Sequence, residues 1–92
     1  MADVTLCKQL EIKNRLGLHA RAAAQLVQTA SQYEAEITVA KDGQTVNGKS
    51  IIGLMMLAAA QGTSIDVSAS GPQAVEALSA IERLVDQKFN EE

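Results

Sequence analysis

The only histidine of the chain, His19, is the strongest candidate for chemistry. It follows Gly17-Leu18 and directly precedes an alanine-rich run that predicts the first turn of a helix. The first turn of a helix has backbone N–H groups without intrahelical partners, and such groups bind phosphate. Arg21 lies two residues further on and can reach an anion on the ring. His19 and Arg21 therefore predict a site that holds a phosphoryl group, although the spacing alone also fits a histidine without a role.

A second motif, from Gly43 to Ser50, matches the nucleotide-binding pattern G-x-x-x-x-G-K-S. Two turn signals within and beside it, Asp42-Gly43 and Asn47-Gly48, indicate a hairpin and not a phosphate cradle. The chain also lacks an apolar strand that ends in an aspartate for magnesium. We therefore reject nucleotide binding, and an ATP-binding measurement would separate this alternative from phosphoryl transfer.

Composition limits the remaining function classes. The 92 residues suit one domain over 1–92, and a single cysteine, Cys7, excludes an internal disulfide and indicates a reduced compartment. We interpret Cys7 as a filler thiol. We see no signal peptide, and the longest apolar stretch, Ile51 to Ala60, is too short to span a bilayer. A net charge of -3 with only Tyr33 and Phe89 as aromatics argues against nucleic-acid binding. No metal or cofactor is expected.

Hydrophobic periodicity predicts four strands and three helices. Alternating apolar residues, typical of strands with one buried face, are Val4, Leu6, Leu10 and Ile12, then Ala35, Ile37 and Val39, then Ile65, Val67 and Ala69. Asp42-Gly43 predicts a hairpin that leads into a short return strand at Thr45-Val46. Helices are predicted over residues 20 to 33, over Ile51 to Ala60 with Gly62 as the C-terminal cap, and over a last segment marked by Ala74, Ala77, Leu78, Ile81, Leu84 and Val85.

The order β-α-β-β-α-β-α predicts an α+β fold. We expect an open-faced β-sandwich, with a four-stranded antiparallel sheet covered on one face by three helices. Ferredoxin-like domains share most of this order, so the pattern alone does not settle the topology.

The second helix is apolar nearly all round, so it cannot bury every side chain. We expect Leu54 and Leu57 in the core. The remaining candidates predict an exposed patch near His19 on which partners dock: Ile51, Ile52, Met55, Met56 and the nearby Ala24. Ser50, directly before this helix, predicts its N-cap. An interaction module without phosphoryl transfer is a further alternative.

Two segments of the sequence resemble the family of the histidine-containing phosphocarrier protein, HPr, of the bacterial phosphotransferase system. The segment Asn14-Arg15-Leu16-Gly17-Leu18-His19-Ala20-Arg21 is similar to its active-site motif, and Lys49-Ser50-Ile51-Ile52-Gly53-Leu54-Met55-Met56-Leu57 is similar to its regulatory-serine segment. The resemblance covers nearly the whole chain. One position departs from it, because the family usually has proline where this chain has Ala22.

The resemblance implies a phosphoryl relay and not an enzyme with its own turnover. Enzyme I, charged by phosphoenolpyruvate, would phosphorylate Nδ1 of His19, Arg21 would stabilise the phosphate, and enzyme IIA domains would accept the group. Partner-binding residues would be Ala20, Ala24, Ile51, Ile52 and Met55.

The resemblance also implies regulation and a setting in the cell. Ser50 aligns with the serine that HPr kinase/phosphorylase modifies in some bacteria. We expect a cytoplasmic monomer of the sugar branch; the nitrogen-branch paralogue with the same phosphohistidine chemistry is the alternative.

Overall fold

The computed structural model describes residues 5–91 of the chain. The elements in chain order are β1 (Thr5–Glu11), α1 (Ala20–Ala30), β2 (Glu36–Lys41), β3 (Gln44–Asn47), α2 (Ile51–Met56), β4 (Ser64–Ser70), α3 (Ala74–Asp86) and a short 3-10 turn (Lys88–Asn90). This order confirms the predicted β-α-β-β-α-β-α arrangement and adds the final turn. Val4, expected in the first strand, lies outside the described residues.

The four strands form one antiparallel sheet in the order β1-β4-β2-β3. The predicted alternation is confirmed, because one face buries the side chains of Leu10, Ile37, Val39, Ile65, Val67 and Ala69. The hairpin is also confirmed: Lys41 pairs with Gln44, and both residues between them, Asp42 and Gly43, have positive φ values of 52° and 83°. Two central residues of this kind are typical of a type I′ turn, whose twist matches that of the strands.

Three helices cover the buried face of the sheet. α3 packs on β1 and β4, α1 packs between α3 and α2, and α2 contacts β3. The opposite face is polar; Cys7, Ser68 and Thr38 form one row across it. The α+β open-faced sandwich is therefore confirmed. Cys7 is exposed on the polar face, and its interpretation as a filler thiol and not a nucleophile stays a prediction.

α1 ends at Ala30 and not near residue 33 as predicted. The N–H groups of Gln32 and Tyr33 donate to the carbonyls of Thr29 and Ala30, three residues back, which tightens the chain into a turn. Ser31 and Gln32 are exposed, so no apolar side chain continues the buried stripe of the helix there.

α2 ends at Met56, four residues before the predicted Ala60. The chain leaves the helix at Ala58, which has a φ of +51°, and this lets both Leu57 and Ala59 turn into the core. The predicted cap is therefore wrong: Gly62 lies in a later turn, where its N–H donates to the carbonyl of Ile12 at 2.8 Å. The burial of Leu54 and Leu57 is confirmed.

The final turn was not predicted from the sequence. Lys88, Phe89 and Asn90 all have positive φ values, which costs about 1–2 kcal/mol for each residue that is not glycine. Burial of the Phe89 ring, only 2% exposed, offsets part of this cost with about 1.5–3 kcal/mol. The turn thus places its aromatic ring in the core.

Two apolar residues of α3 test this packing. Ile81 is fully buried and Val75 is 63% exposed on the same helix. We expect Ile81→Ala to lower the free energy of unfolding by about 2–5 kcal/mol, since it leaves a cavity. Val75→Ala is the control and should change it by about 0.5 kcal/mol or less. Equal losses in urea denaturation would contradict the described burial of α3.

Candidate phosphoryl-transfer site

His19 is the N-cap residue of α1, as the sequence predicted. Its backbone is extended (φ -77°, ψ -178°), and its carbonyl accepts from the N–H of Ala23 at 2.8 Å. Its ring nitrogen Nδ1 accepts from the N–H of Arg21 at 3.3 Å. Because Nδ1 is an acceptor here, the neutral ring carries its proton on Nε2. The lone pair of Nδ1 therefore points toward the first turn of α1.

The loop before His19 is held against the segment that follows α2. The N–H of Leu18 donates to the carbonyl of Ala59 at 2.8 Å. Gly17 has a φ of +69°, and a Cβ atom there would lie 2.4 Å from the same carbonyl oxygen. Only glycine fits this position, for steric as well as conformational reasons. This contact fixes the start of α1, and with it His19.

A pocket of about 260 Å³ lies beside the histidine ring. It is lined by Leu16, His19, Arg21, Phe89, Asn90 and Glu91. The Glu91 carboxylate accepts from the N–H of Leu16, with both oxygens at 3.3 Å. The pocket thus combines an exposed guanidinium, an open helix terminus and one carboxylate. This arrangement can hold a small anion bonded to Nδ1.

A larger depression of about 480 Å³ between β2 and β3 shares no residue with this pocket. It is lined by Ala35, Glu36, Ile37, Thr38, Thr45, Val46, Asn47 and Lys49. It contains no histidine or cysteine, and it lies on the hairpin that includes most of the nucleotide-binding pattern. That pattern forms β3 and its flanking turns, as predicted, and not a loop between a strand and a long helix.

Ser50 is the N-cap of α2, which confirms its predicted structural role. Its Oγ accepts from the N–H of Gly53 at 3.0 Å, and its carbonyl accepts from the N–H of Leu54 at 3.0 Å. Ser50 does not line either of the two depressions that contain His19. It lies instead directly before the exposed side chains of α2.

Five exposed apolar side chains form what we call the apolar patch: Leu16, Ile51, Ile52, Met55 and Met56. Met55 lines a depression together with His19 and Leu16, so the patch reaches the histidine. Ala20 is exposed and Ala24 half-buried on the adjacent helix. Sequence reasoning missed Leu16, which is 65% exposed. Leu16 and the buried Leu18 stand in the same glycine-containing loop, and nothing in the sequence distinguishes the exposed leucine from the buried one.

Lys13 anchors the start of the loop to the end of α3. Its Nζ donates to Oδ1 of Asp86 at 2.8 Å. This hydrogen bond, followed by the charge of Asp86, raises the pKa of Lys13 above its ordinary value. A raised lysine pKa means that the pair keeps its interaction at neutral pH and loses it only as the pH rises through that pKa.

A family model for the HPr component of the phosphotransferase system, described by its phosphorylation site, matches residues 6–87. The chain belongs to the HPr family. The HPr of Neisseria meningitidis serogroup A is 50% identical over 86 residues, which cover 94% of this chain and 97% of that protein. The phosphocarrier protein NPr of Klebsiella oxytoca is 41% identical over 90 residues, which cover 97% of this chain and 100% of that protein.

Solved structures agree with this family. A crystal structure of HPr-C-His from Thermoanaerobacter tengcongensis has a TM-score of 0.85 and 48% identity, and the match covers 100% of this chain and 99% of that one. Another structure from the same organism is an HPr dimer, with a TM-score of 0.76 and 49% identity over 89% and 94%. The chain is therefore a phosphocarrier of the phosphotransferase system by family. Among residues 5–91, no helix is long and apolar enough to cross a bilayer.

Gly17 provides a test of the loop contact. We expect Gly17→Ala to lower the free energy of unfolding, because it combines a positive φ with a clash against the Ala59 carbonyl. Gly62→Ala is the matched control, with a φ of +89° but no atom within 4 Å of the added Cβ. The Gly17 variant should lose about 1–3 kcal/mol more than the control in urea denaturation. Equal losses of unfolding free energy in the two variants would show that the backbone at Gly17 does not contact the Ala59 carbonyl.

Proposed function

We propose that this chain accepts a phosphoryl group from phospho-enzyme I on Nδ1 of His19 and donates it to enzyme IIA domains of the sugar phosphotransferase system. The observation that carries the proposal is the direction of Nδ1, whose lone pair points to the N–H of Arg21 at 3.3 Å. A phosphoryl group bonded to this atom would meet the open N–H groups at the start of α1. Phosphoryl transfer needs mainly such positioning and charge stabilisation.

The transfer changes one bond at each partner. The Nδ1 lone pair forms a bond to phosphorus as the bond between phosphorus and the donor nitrogen of enzyme I breaks, while Nε2 keeps its proton. Arg21 is exposed in the same pocket, so its planar guanidinium can pair with the phosphoryl oxygens. Donation to an enzyme IIA domain reverses these changes at His19. The chain leaves the cycle unchanged and acts as a carrier, with no turnover of its own.

Partners dock on the apolar patch and on the exposed first turn of α1. Ala20 and Ala24 are small, so a partner surface can approach the histidine closely. Met55 lies beside His19, and flexible methionines fit differently shaped partners. Both enzyme I and the enzyme IIA domains would then bury Ile51, Ile52 and Met55 around the reacting ring. The same surface would bind the donor and then the acceptor of the phosphoryl group. One monomer of this chain is therefore sufficient for both transfer steps.

Ser50 is proposed as a regulatory site for HPr kinase/phosphorylase. A phosphate there would be tolerated by the start of α2, but it would place negative charge at the edge of the apolar patch. The proposed consequence is weaker docking without any change at His19.

We propose the sugar branch on the likeness to the Neisseria HPr, at 50% identity, and keep the nitrogen branch as the alternative, because the Klebsiella NPr at 41% is as similar as the HPr of Cupriavidus necator at 40%. Both branches use the same proposed chemistry at His19. We propose that this carrier works in the cytoplasm, because a chain with a single cysteine suits a reduced compartment.

The nucleophile is tested by His19→Ala and His19→Asn. Neither side chain can form the N–P bond, and asparagine keeps a capping oxygen for the N–H of Arg21. We expect both variants to fold and to accept no radiolabelled phosphate from phosphoenolpyruvate and enzyme I. Acid-labile label on either folded variant would sink the assignment, because the chain has no other histidine.

The docking surface is tested by Ser50→Asp. Aspartate also caps helices, so the variant should unfold at nearly the parent temperature. It adds a charge beside Ile51, and burying that charge against a partner should cost on the order of 1 kcal/mol or more. We expect the KM of enzyme I for the variant to rise while kcat changes little, because His19 is untouched.

Ser50→Ala is the matched control for this experiment. It removes the Oγ that accepts from Gly53, which should cost about 1 kcal/mol of stability. It adds no charge, so its KM should equal that of the parent chain. If Ser50→Asp docks as well as Ser50→Ala, the patch is not where enzyme I binds.

A further inference from the structure

Asn14 is the one polar residue in the described part of the chain that is buried. Its Nδ2 donates to the carbonyl of Gly17 at 2.6 Å, and its own carbonyl accepts from the N–H of Gly17 at 3.2 Å. Backbone and side chain of the same residue thus close the turn before His19. The opposite orientation of the amide would set two oxygens against each other, so Nδ2 must face Gly17.

The position of Asn14 has an energetic cost. Its Oδ1 is buried and has no hydrogen-bond partner. An unsatisfied buried acceptor costs about 1–3 kcal/mol, which an apolar residue of the same shape would avoid. The favourable polar interaction of this side chain is the hydrogen bond that Nδ2 donates to the Gly17 carbonyl.

The peptide between Gly17 and Leu18 is held on both of its polar sides. Asn14 binds its carbonyl oxygen at 2.6 Å, and the carbonyl of Ala59 accepts from its N–H at 2.8 Å. A peptide plane held at both ends cannot rotate. Only Leu18, whose side chain is buried, separates this peptide from His19, so the held plane and the packed Leu18 together limit the directions that the backbone of His19 can take.

We propose that Asn14 is a positioning residue for phosphoryl transfer at His19. By holding the Gly17–Leu18 peptide, it keeps Nδ1 in line with the N–H of Arg21, where the phosphoryl oxygens would be bound. This inference rests on the proposed function of His19 and deepens it. Asn14 does not touch the reacting atoms. Its effect comes from geometry, and a displacement of about 1 Å at a reacting group can slow a step about a hundredfold.

Asn14→Asp tests this role with almost no change of shape. It replaces the Nδ2 donor by an oxygen that repels the Gly17 carbonyl. We expect kcat for charging by phospho-enzyme I to fall about ten- to a hundredfold. KM should stay within about twofold of the parent value, because the apolar patch is intact. In NMR spectra the Nδ1 signal of His19 should shift, as the hydrogen bond from Arg21 is lost.

Gln61→Glu is the matched control. The Gln61 amide also donates to a carbonyl of this loop, that of Lys13, at 3.1 Å, but Gln61 is exposed. The variant makes the same change from amide to carboxylate, yet its side chain can turn into water. It should leave kcat and the Nδ1 signal unchanged. Asn14→Ala removes the donor without adding charge, and it takes the place of Asn14→Asp should that variant not fold.

The outcomes separate this inference from the proposed function. If phospho-enzyme I does not phosphorylate the parent chain, the proposed function is wrong, and the role of Asn14 is wrong with it. The positioning role is supported if the parent chain is phosphorylated and a folded Asn14 variant shows a lower kcat and a shifted Nδ1 signal. Folded Asn14 variants that are charged at the parent kcat show that Asn14 only stabilises the loop, which overturns this inference alone.

Discussion

The hydrogen bond from Leu18 to the carbonyl of Ala59 is the constraint on which the functional face depends. It joins the loop before α1 to the segment after α2, beside two further contacts between them, from the N–H of Gly62 to the carbonyl of Ile12 and from the Gln61 amide to the carbonyl of Lys13. The absence of a side chain at Gly17 lets the two backbones touch. As a result the start of α1, with His19, and the exposed side of α2, with Met55, lie on one surface. His19 and the apolar patch therefore lie on one surface, at the point where backbone contacts hold these two segments together.

The core decides which groups of α1 face outward. Ala22, Ala23 and Leu26 are fully buried, so Ala20 and Arg21 must be exposed in the first turn. The position at which this chain departs from the family, Ala22, is one of these buried residues. Ala22 faces the core, and the N–H group from which the ring accepts belongs to Arg21. A proline at 22 would lie in the first turn of α1, where a missing N–H breaks no hydrogen bond within the helix.

The sequence predicted the structure correctly wherever a local sequence rule and the packing of the core favour the same conformation. Alternation predicted the strands, Asp42-Gly43 the hairpin, and Ser50 the cap of α2, because each depends on a few neighbouring residues. It failed at Ala58 and Phe89, where residues other than glycine adopt positive φ because distant packing requires it. At the site, the pattern predicted His19 at the helix start. The pocket wall formed by Glu91 and the buried turn at Asn14 depend on contacts between segments far apart in sequence or on burial, which no spacing reveals.

A carrier has to release its cargo as readily as it receives it, and this limits how strongly the site can hold a phosphoryl group. The pocket offers one guanidinium and the neutral N–H groups of a helix start, while the carboxylate of Glu91 lines its wall. Several arginines or a metal would bind the group more tightly and slow its departure, since stabilising the bound state alone raises the barrier that follows. With modest electrostatic stabilisation, accurate placement has to supply the rate. That requirement explains why a loop of five residues, 14–18, is held by a buried amide, a glycine and a backbone hydrogen bond at once.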